Sequence, residues 1–426
     1  MMLRIISSGN RKALDSLLAA RGANLAEAAR AATRIVEDVR RNGDAALVRW
    51  TRRFDGMDLR KEGVRVSRRE ITRAYREIPP KFLAALKLAA HNIRAVAERQ
   101  VIREWGVEVM SGVRVGQIVR PLGRVACYVP GGRYPLPSTV LMSVIPAQTA
   151  GVKEIVLTTP RPARAVLVAA DFLGVQEIYR LGGAQAIAAF AYGTGTVPRA
   201  DKIVGPGNRY VAAAKKIVAP DCGIDFVAGP TELVVVGSRG NAAWIASDLV
   251  AQAEHDPDAV CLFFTPSASL AREVREAAAV AVAHLGMGVA KESLARRGAI
   301  VVTKSLEEAI ALANSFAPEH LVLLDDAARH LDRVEAAGSI FLGAMSPVAA
   351  GDYASGSNHI LPTSGLAKLR GGLSAADFVK VISVQRLARA GLRRVGNAVV
   401  ELARAEGLRA HAYSIETRFR DHDPTA

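Results

Sequence analysis

Four separate stretches of this 426-residue chain hold the side chains best suited to chemistry. Glu319 and His320 are adjacent in Ala317-Pro318-Glu319-His320-Leu321-Val322, just ahead of an apolar run that would hold them at the edge of a sheet. An imidazole titrates near neutral pH, and a neighbouring carboxylate can stabilise imidazolium or position a water, so the pair can share proton work. The plain alternative is an exposed dipeptide in a loop. Gln252 and His255 lie three apart in SDLVAQAEHDP, a spacing that puts both on one face of a helix stopped by Pro257. Histidine is a common zinc ligand and a carboxamide oxygen a weaker one. Asp352 stands in Gly351-Asp352-Tyr353-Ala354-Ser355-Gly356-Ser357-Asn358-His359, where glycines permit close backbone approach, and His411 follows EGLRA near the end. Gln252, His255, Asp352 and His411 make a nitrogen and oxygen set for Zn²⁺, although they form no local metal motif. Structural or surface roles remain open for each.

Three glycine-rich loops accompany these residues. Tyr128-Val129-Pro130-Gly131-Gly132 follows the strand-like RVACYV. Leu181-Gly182-Gly183-Ala184-Gln185 precedes a helical run. Gly205-Pro206-Gly207-Asn208 links ADKIV to RYVAAAKKI. A glycine loop feeding a helix start offers free backbone N–H groups to an anion such as a pyrophosphate. None is a GxGxxG, because Tyr210 replaces the third glycine in the last, and each alone reads more readily as a plain strand-to-helix turn. Three together point toward a dinucleotide. Cys127 and Cys261 sit inside apolar runs and read as buried, while Cys222 in PDCGID reads as more exposed with no His or Arg beside it. No cysteine is assigned a catalytic role.

The elements that must position these residues follow from periodicity. Residues 10–100 read as helix, punctuated at Asn42-Gly43 and Gly63, with His91 on a polar face. From about residue 115, runs of four to six apolar residues alternate with helical patterns, first through RYVAAAKKIVA and then from ELVVVGS to HLVLLDD. This alternation implies βαβ units and a parallel sheet. The stretch from about Ser374 reads as helix and then a strand-like tail at HAYSIETRF. The expected fold class is α/β: two incomplete Rossmann-like parallel-sheet domains, a helical N-terminal region and a small C-terminal domain. Half the residues are hydrophobic and 23% are charged, which excludes intrinsic disorder. No apolar run approaches the roughly 18–20 residues of a membrane span, no secretory signal is evident, and three cysteines suggest no disulfide framework; a cytoplasmic protein is expected. The net charge of +15 raises the question of a nucleic-acid partner. The basic residues are dispersed, however, without RNA-binding aromatics or zinc-finger spacing, so no nucleic-acid or membrane partner is expected.

Taken together, CYVPGGR, LGGAQAIAAFAYGT, DKIVGPGN, AGPTE, QAEHDP, APEHL, GDYASGSNHILPT and EGLRAH resemble the histidinol dehydrogenase family from about residue 20 to 417. The resemblance implies a zinc-dependent, NAD-linked enzyme that oxidises L-histidinol through L-histidinal to L-histidine, the last steps of histidine biosynthesis. It implies Gln252, His255, Asp352 and His411 as zinc ligands, Glu319 and His320 as the acid/base pair, and Tyr128, Gln185 and Asn208 beside NAD. Substrate contacts fall on Thr231, His359 and Glu406, together with Gln252, His255, His320, Asp352 and His411. It also implies a homodimer sharing its active sites, in which Glu406 and His411 serve the other subunit. The corresponding division is a helical region over 1–120 packing on the first α/β domain, a second α/β domain with the NAD loops over 121–230, the first α/β domain with metal and acid/base residues over 231–373, and a dimerisation segment over 374–426. Two positions depart from the family pattern. Thr231 stands where serine is usual, and Val348 stands where many relatives carry a glutamate suited to a substrate ammonium group. The latter keeps open a related zinc/NAD dehydrogenase of another small polar alcohol; a zinc hydrolase using Glu319 and a basic binding protein are the readings from other classes.

Overall fold

The computed structural model describes residues 3–19, 25–131 and 134–419; Gly132 of the first glycine loop lies outside them. In chain order, β1 (Arg4–Ser7) precedes a long helical region, and β2 (Trp105–Met110) and β3 (Val113–Pro121) form an antiparallel pair. β4 (Arg124–Tyr128), β5 (Glu154–Thr158), β6 (Glu177–Tyr179), β7 (Lys202–Val204) and β8 (Gly223–Ile224) form a parallel sheet in the order β6-β5-β4-β7-β8. β9 (Glu232–Val236), β10 (Val260–Thr265), β11 (Ala299–Val302), β12 (His320–Leu323) and β13 (Ser339–Leu342) join β1 in a second parallel sheet, ordered β1-β11-β10-β9-β12-β13. β14 (Val379–Leu387) pairs with β3.

Both parallel sheets are covered on two faces, which is why their strands read as unbroken apolar runs. In β4, Val125 and Cys127 enter one core with helix Pro137–Thr149, while Ala126 and Tyr128 enter another with helix Gly183–Tyr192. In the second sheet, Leu233 and Val235 face helices Ala242–Ala253 and Ala268–Leu285, and Val234 and Val236 face helix Leu306–Phe316.

The N-terminal helices do not pack as expected. Helix Leu25–Asp55, kinked at Gly43 (φ 49°), lies on helices Gly183–Tyr192 and Arg209–Val218, and helix Pro80–Arg99 lies on Pro137–Thr149. They cover the sheet of 121–230 rather than that of 231–373, because the stripe Ala28, Ala32, Ile35, Val36 and Val39 meets the small residues of helix Gly183–Tyr192. Among the described N-terminal residues, only the opening of the chain serves the other sheet: β1 pairs with β11, and Leu14 enters its core.

A further correction concerns the ends of the expected domains. Ile102–Pro121 and the chain from Val379 onward form their own compact unit, separate from Met1–Val101 with Leu122–Phe378. Thus β2 and β3 leave the region expected to end at 120. The stretch beyond Ser374 is a strand followed by helices Arg389–Ala405 and Arg409–Glu416, not a helix with a strand-like tail. The run VKVISVQRL pairs along its whole length with β3, whereas Ala412 and Ile415, three apart, pack on Val400 and Ala403 as a helix requires.

One buried ion pair ties the first sheet to its third glycine loop. Lys215 Nζ lies 2.6 Å from Asp225 Oδ1 and donates to the Gly205 carbonyl, while Asp225 Oδ2 accepts the Gly205 N–H at 2.7 Å. Lys215→Met leaves Asp225 as an unpaired buried charge and should lower the unfolding free energy by about 3–5 kcal/mol. Urea denaturation measures this; a loss under about 1 kcal/mol contradicts it.

Candidate active site

β9 and β12 are neighbours in register, with His320 opposite Leu233. Helix Leu306–Phe316 ends at Ala317, whose left-handed backbone (φ 51°) and amide bond to the Ala313 carbonyl turn the chain. Pro318 and Glu319 follow, and His320 opens β12 at the amino edge of the sheet. The pair is therefore buried at a sheet edge, as its sequence context suggested.

His320 is almost fully enclosed. Its Nδ1 lies 3.2 Å from the Glu232 carbonyl oxygen, so this nitrogen carries a proton and donates it. Nε2 lies 3.2 Å from Asp352 Oδ1, and Glu319 Oε2 lies 3.6 Å from Nδ1. Burial alone would lower the imidazole pKa, but the charges of Glu319 and Asp352 outweigh it and raise it well above its ordinary value. Glu319 shows the opposite balance. Burial pushes its carboxyl up to about 7, against His320, Thr231 and the Glu232 amide, which favour the carboxylate. Its Oε2 accepts from Thr231 Oγ1 at 2.5 Å and from Glu232 N–H at 2.9 Å.

Thr231 bridges two groups. Its hydroxyl donates to Glu319 and accepts from Gln252 Nε2, whose amide also lies 3.5 Å from His320 Nδ1. Threonine thus retains the hydroxyl used here, and the family's serine would serve equally. Asp352 rides on the short helix Val348–Tyr353. Burial raises its carboxyl pKa, but the bond from His320 and the nearby imidazoles lower it further, for a net decrease. Val348 begins that helix and is buried with Leu233 and Phe341, so it packs in the core.

Two residues sit differently from what their sequence context implied. The helix carrying Gln252 ends at Ala253, so His255 stands just beyond it and not on its face; its amide bonds to the Gln252 carbonyl at 3.4 Å. From there its imidazole still acts electrostatically on Asp352 and His359. His359 was expected to touch substrate, yet both ring nitrogens are spent within the protein. Nδ1 donates to the Asp352 carbonyl at 2.7 Å, and Nε2 accepts from the Thr139 hydroxyl at 3.0 Å. Asn358 Nδ2 beside it donates to the Met142 carbonyl at 2.7 Å. Helix Pro137–Thr149 thereby holds the loop that follows Asp352, a link between distant stretches that no local motif announces.

Among the described residues, no three His, Cys, Asp or Glu side chains close a metal cluster. The donor set nevertheless fits a divalent cation that takes nitrogen and oxygen. Gln252 spends its Nε2 on Thr231, leaving Oε1 as the atom to offer, and His255 and Asp352 stand in electrostatic contact. Glu406, at the end of helix Arg389–Ala405, and His411, on helix Arg409–Glu416, belong to the other unit, where both are exposed.

The described glycine-loop residues lie at the carboxyl ends of β4, β6 and β7, where open α/β sheets take ligands. Gly205 has φ 118°, and a Cβ there would overlap the Tyr128 carbonyl oxygen. Tyr128 is buried, its hydroxyl accepts the Gly183 N–H at 3.1 Å, and burial pushes its pKa up to about 12. Asn208 Oδ1 caps helix Arg209–Val218 through the amides of Tyr210 and Val211 at 3.0 and 3.2 Å. Gln185 is buried with its Oε1 unpartnered. A buried acceptor without a donor, at the start of a helix entered through two glycines, suits a dinucleotide with its many hydroxyl and amide donors. Cys222 is buried rather than exposed: its Sγ lies 3.3 Å from the Ala200 carbonyl, and burial pushes the thiol up to about 11. Cys127 is pushed to about 12, so neither is a ready thiolate.

An acid–base couple buried this deeply, with its two members' proton affinities shifted by each other, marks an enzyme of the α/β class. A family model described as histidinol dehydrogenase matches residues 19–419. The histidinol dehydrogenase of Methanothermobacter thermautotrophicus is 49% identical over 396 residues, spanning 91% of this chain and 92% of its own. That of Bacillus anthracis is 44% identical over 431 residues, spanning 99% of this chain and all of its own. The crystal structure of histidinol dehydrogenase from Elizabethkingia anophelis superposes with a TM-score of 0.92 at 34% identity, covering 98% of each chain. The chain belongs to the histidinol dehydrogenase family.

Burial lowers the His359 pKa below its ordinary 6.5, so the folded state binds fewer protons there than the unfolded one. The stability it contributes is complete above that value and is lost as pH falls toward the folded pKa. Thermal unfolding of wild type and His359→Gln should therefore differ more at pH 7.5 than at pH 5.5 (about one unit either side of the ordinary imidazole value). A difference that grows on acidification contradicts this.

Proposed function

We propose that this protein converts L-histidinol to L-histidine in two successive NAD-dependent oxidations at a site that holds Zn²⁺. The observation that carries this reading is the Glu319–His320 couple, buried and bonded to Thr231 and Asp352, with Gln252 beside it, within a chain of the histidinol dehydrogenase family. His320 has Nδ1–H committed to the Glu232 carbonyl, so Nε2, once it has released the proton it shares with Asp352, is the atom that takes the alcohol proton. Glu319 has Oε2 committed to Thr231 and the Glu232 amide, which leaves Oε1 to draw a proton from the water that adds to the aldehyde. Near-neutral proton affinity suits that carboxyl to both giving and taking a proton. His320 Nε2 then deprotonates the hydrated aldehyde for the second oxidation.

Gln252, His255, Asp352 and His411 would hold the zinc ion, which would supply an anchor for the imidazole of the substrate. Tyr128, Gln185 and Asn208 shape the loops for NAD, which supplies the hydride acceptor. A homodimer with shared active sites is supported by the unit that holds Glu406 and His411. There Trp105 and Val109 of β2 are more than half exposed and Val381, Ile382 and Val384 of β14 more than 40% exposed, an apolar surface suited to a second copy. Among the described residues no helix is long and apolar enough to cross a membrane, and a cytoplasmic site of action accords with three buried free thiols.

The test is stoichiometry. Purified zinc-loaded protein should yield about two NADH per L-histidinol consumed, one from each oxidation. One NADH with accumulating aldehyde, or turnover of another amino alcohol with none of histidinol, contradicts the proposal.

A further inference from the structure

Asp55 ends helix Leu25–Asp55, and Gly56 (φ 65°) turns the chain away. The chemistry above makes no use of it. Its carboxylate is half-buried, and Oδ2 lies 3.5 Å from Gln185 Nε2, a long contact that leaves most of its capacity to accept hydrogen bonds unspent. Arg161 reaches across to this residue but grips its backbone: Nε donates to the Asp55 carbonyl at 2.9 Å, and Nη2 donates to the same oxygen. The guanidinium acts on the carboxylate only through its charge, with no hydrogen bond to it, which leaves the carboxylate oxygens beside the unpartnered Oε1 of Gln185 and near the Tyr128 hydroxyl that receives the Gly183 amide.

Topology gives that place a meaning. The order β6-β5-β4-β7-β8 puts the first strand in the middle and the second beside it, as in one half of a doubly wound dinucleotide-binding sheet. In such sheets an acidic residue near the end of the second strand bonds the adenosine ribose 2′-hydroxyl, while an arginine there accommodates a 2′-phosphate. Here the second strand, β5, runs into Thr159-Pro160-Arg161, which contains no acid. Arg161 is one of the few non-glycine residues with positive φ (46°) among those described, and its side chain draws in the end of the N-terminal helix.

We propose that Asp55, carried to the end of β5 by Arg161, accepts the adenosine ribose hydroxyls of NAD and excludes NADP. This rests on the dinucleotide reading of the glycine loops. A ribose diol brings two donors to a carboxylate that can accept both, whereas a 2′-phosphate brings like charge to the same point.

Isothermal titration calorimetry on the full chain, without substrate, tests this with NAD, NADP and an NAD analogue lacking the adenosine 2′-hydroxyl. Wild type should bind NAD at least about tenfold more tightly than NADP or the deoxy analogue, the size of one charge-assisted hydrogen bond. Asp55→Asn should weaken NAD by about tenfold, narrow the NAD/NADP ratio by at least as much and make the deoxy analogue equivalent to NAD. If Asp55→Asn is folded, shown by an unchanged unfolding midpoint, and keeps the wild-type ratio, the proposal is wrong. If it does not fold, the analogue on wild type decides: equal affinity for NAD and the deoxy analogue overturns it. Wild type that binds neither dinucleotide overturns the reading of the loops, and this proposal with it.

Discussion

One imidazole held between two carboxylates organises this molecule's chemistry. His320 sits where water is excluded, a setting that by itself favours the neutral ring, yet Asp352 and Glu319 approach it closely enough to reverse that preference. A buried charge left without partners is costly, so each group around the ring must itself be satisfied. Glu232 supplies its carbonyl to Nδ1 and its amide to Glu319. Thr231 hands a hydroxyl proton to Glu319 and takes one from Gln252, and the Asp352 backbone is tied to His359. Removing any one member leaves another unpaired, which makes the cluster a single unit and not a collection of contacts.

The two parallel sheets contribute opposite ends. Glycine loops cluster at the carboxyl ends of β4, β6 and β7, the usual ligand edge, whereas Glu232 and His320 begin their strands at the amino edge of the other sheet. Helix Pro137–Thr149 links the two by chemistry as well as chain. It follows the first glycine loop, and through Thr139 and the Met142 carbonyl it fixes His359 and Asn358, hence the backbone after Asp352. The first glycine loop and the backbone that follows Asp352 therefore share a structural element.

Local pattern made much of this legible. Unbroken apolar runs marked β4, β9, β10 and β12 because both faces of each strand are buried, and the short spacing from Pro318 to the apolar run placed Glu319 and His320 at a sheet edge. What escaped was set through space. The alanine stripe of Leu25–Asp55 announces a helix without saying which sheet it covers. β8 has two residues and β13 alternates in exposure, too little pattern for a strand signal. Three-residue spacing joined Gln252 and His255 on one face, but the helix ended between them. Thr139 and Asp55 gain their roles from partners 220 and 130 residues away, and nothing nearby in the chain marks either.

The state of His320 in the metal-free protein is the most direct check on this account, and ¹⁵N-resolved NMR of the imidazole reads it. The ring should keep its Nδ1 proton throughout and lose the Nε2 proton well above 6.5, and Asp352→Asn should move that titration down. A ring that titrates at or below 6.5, or that is insensitive to Asp352→Asn, would mean that the two carboxylates do not govern it.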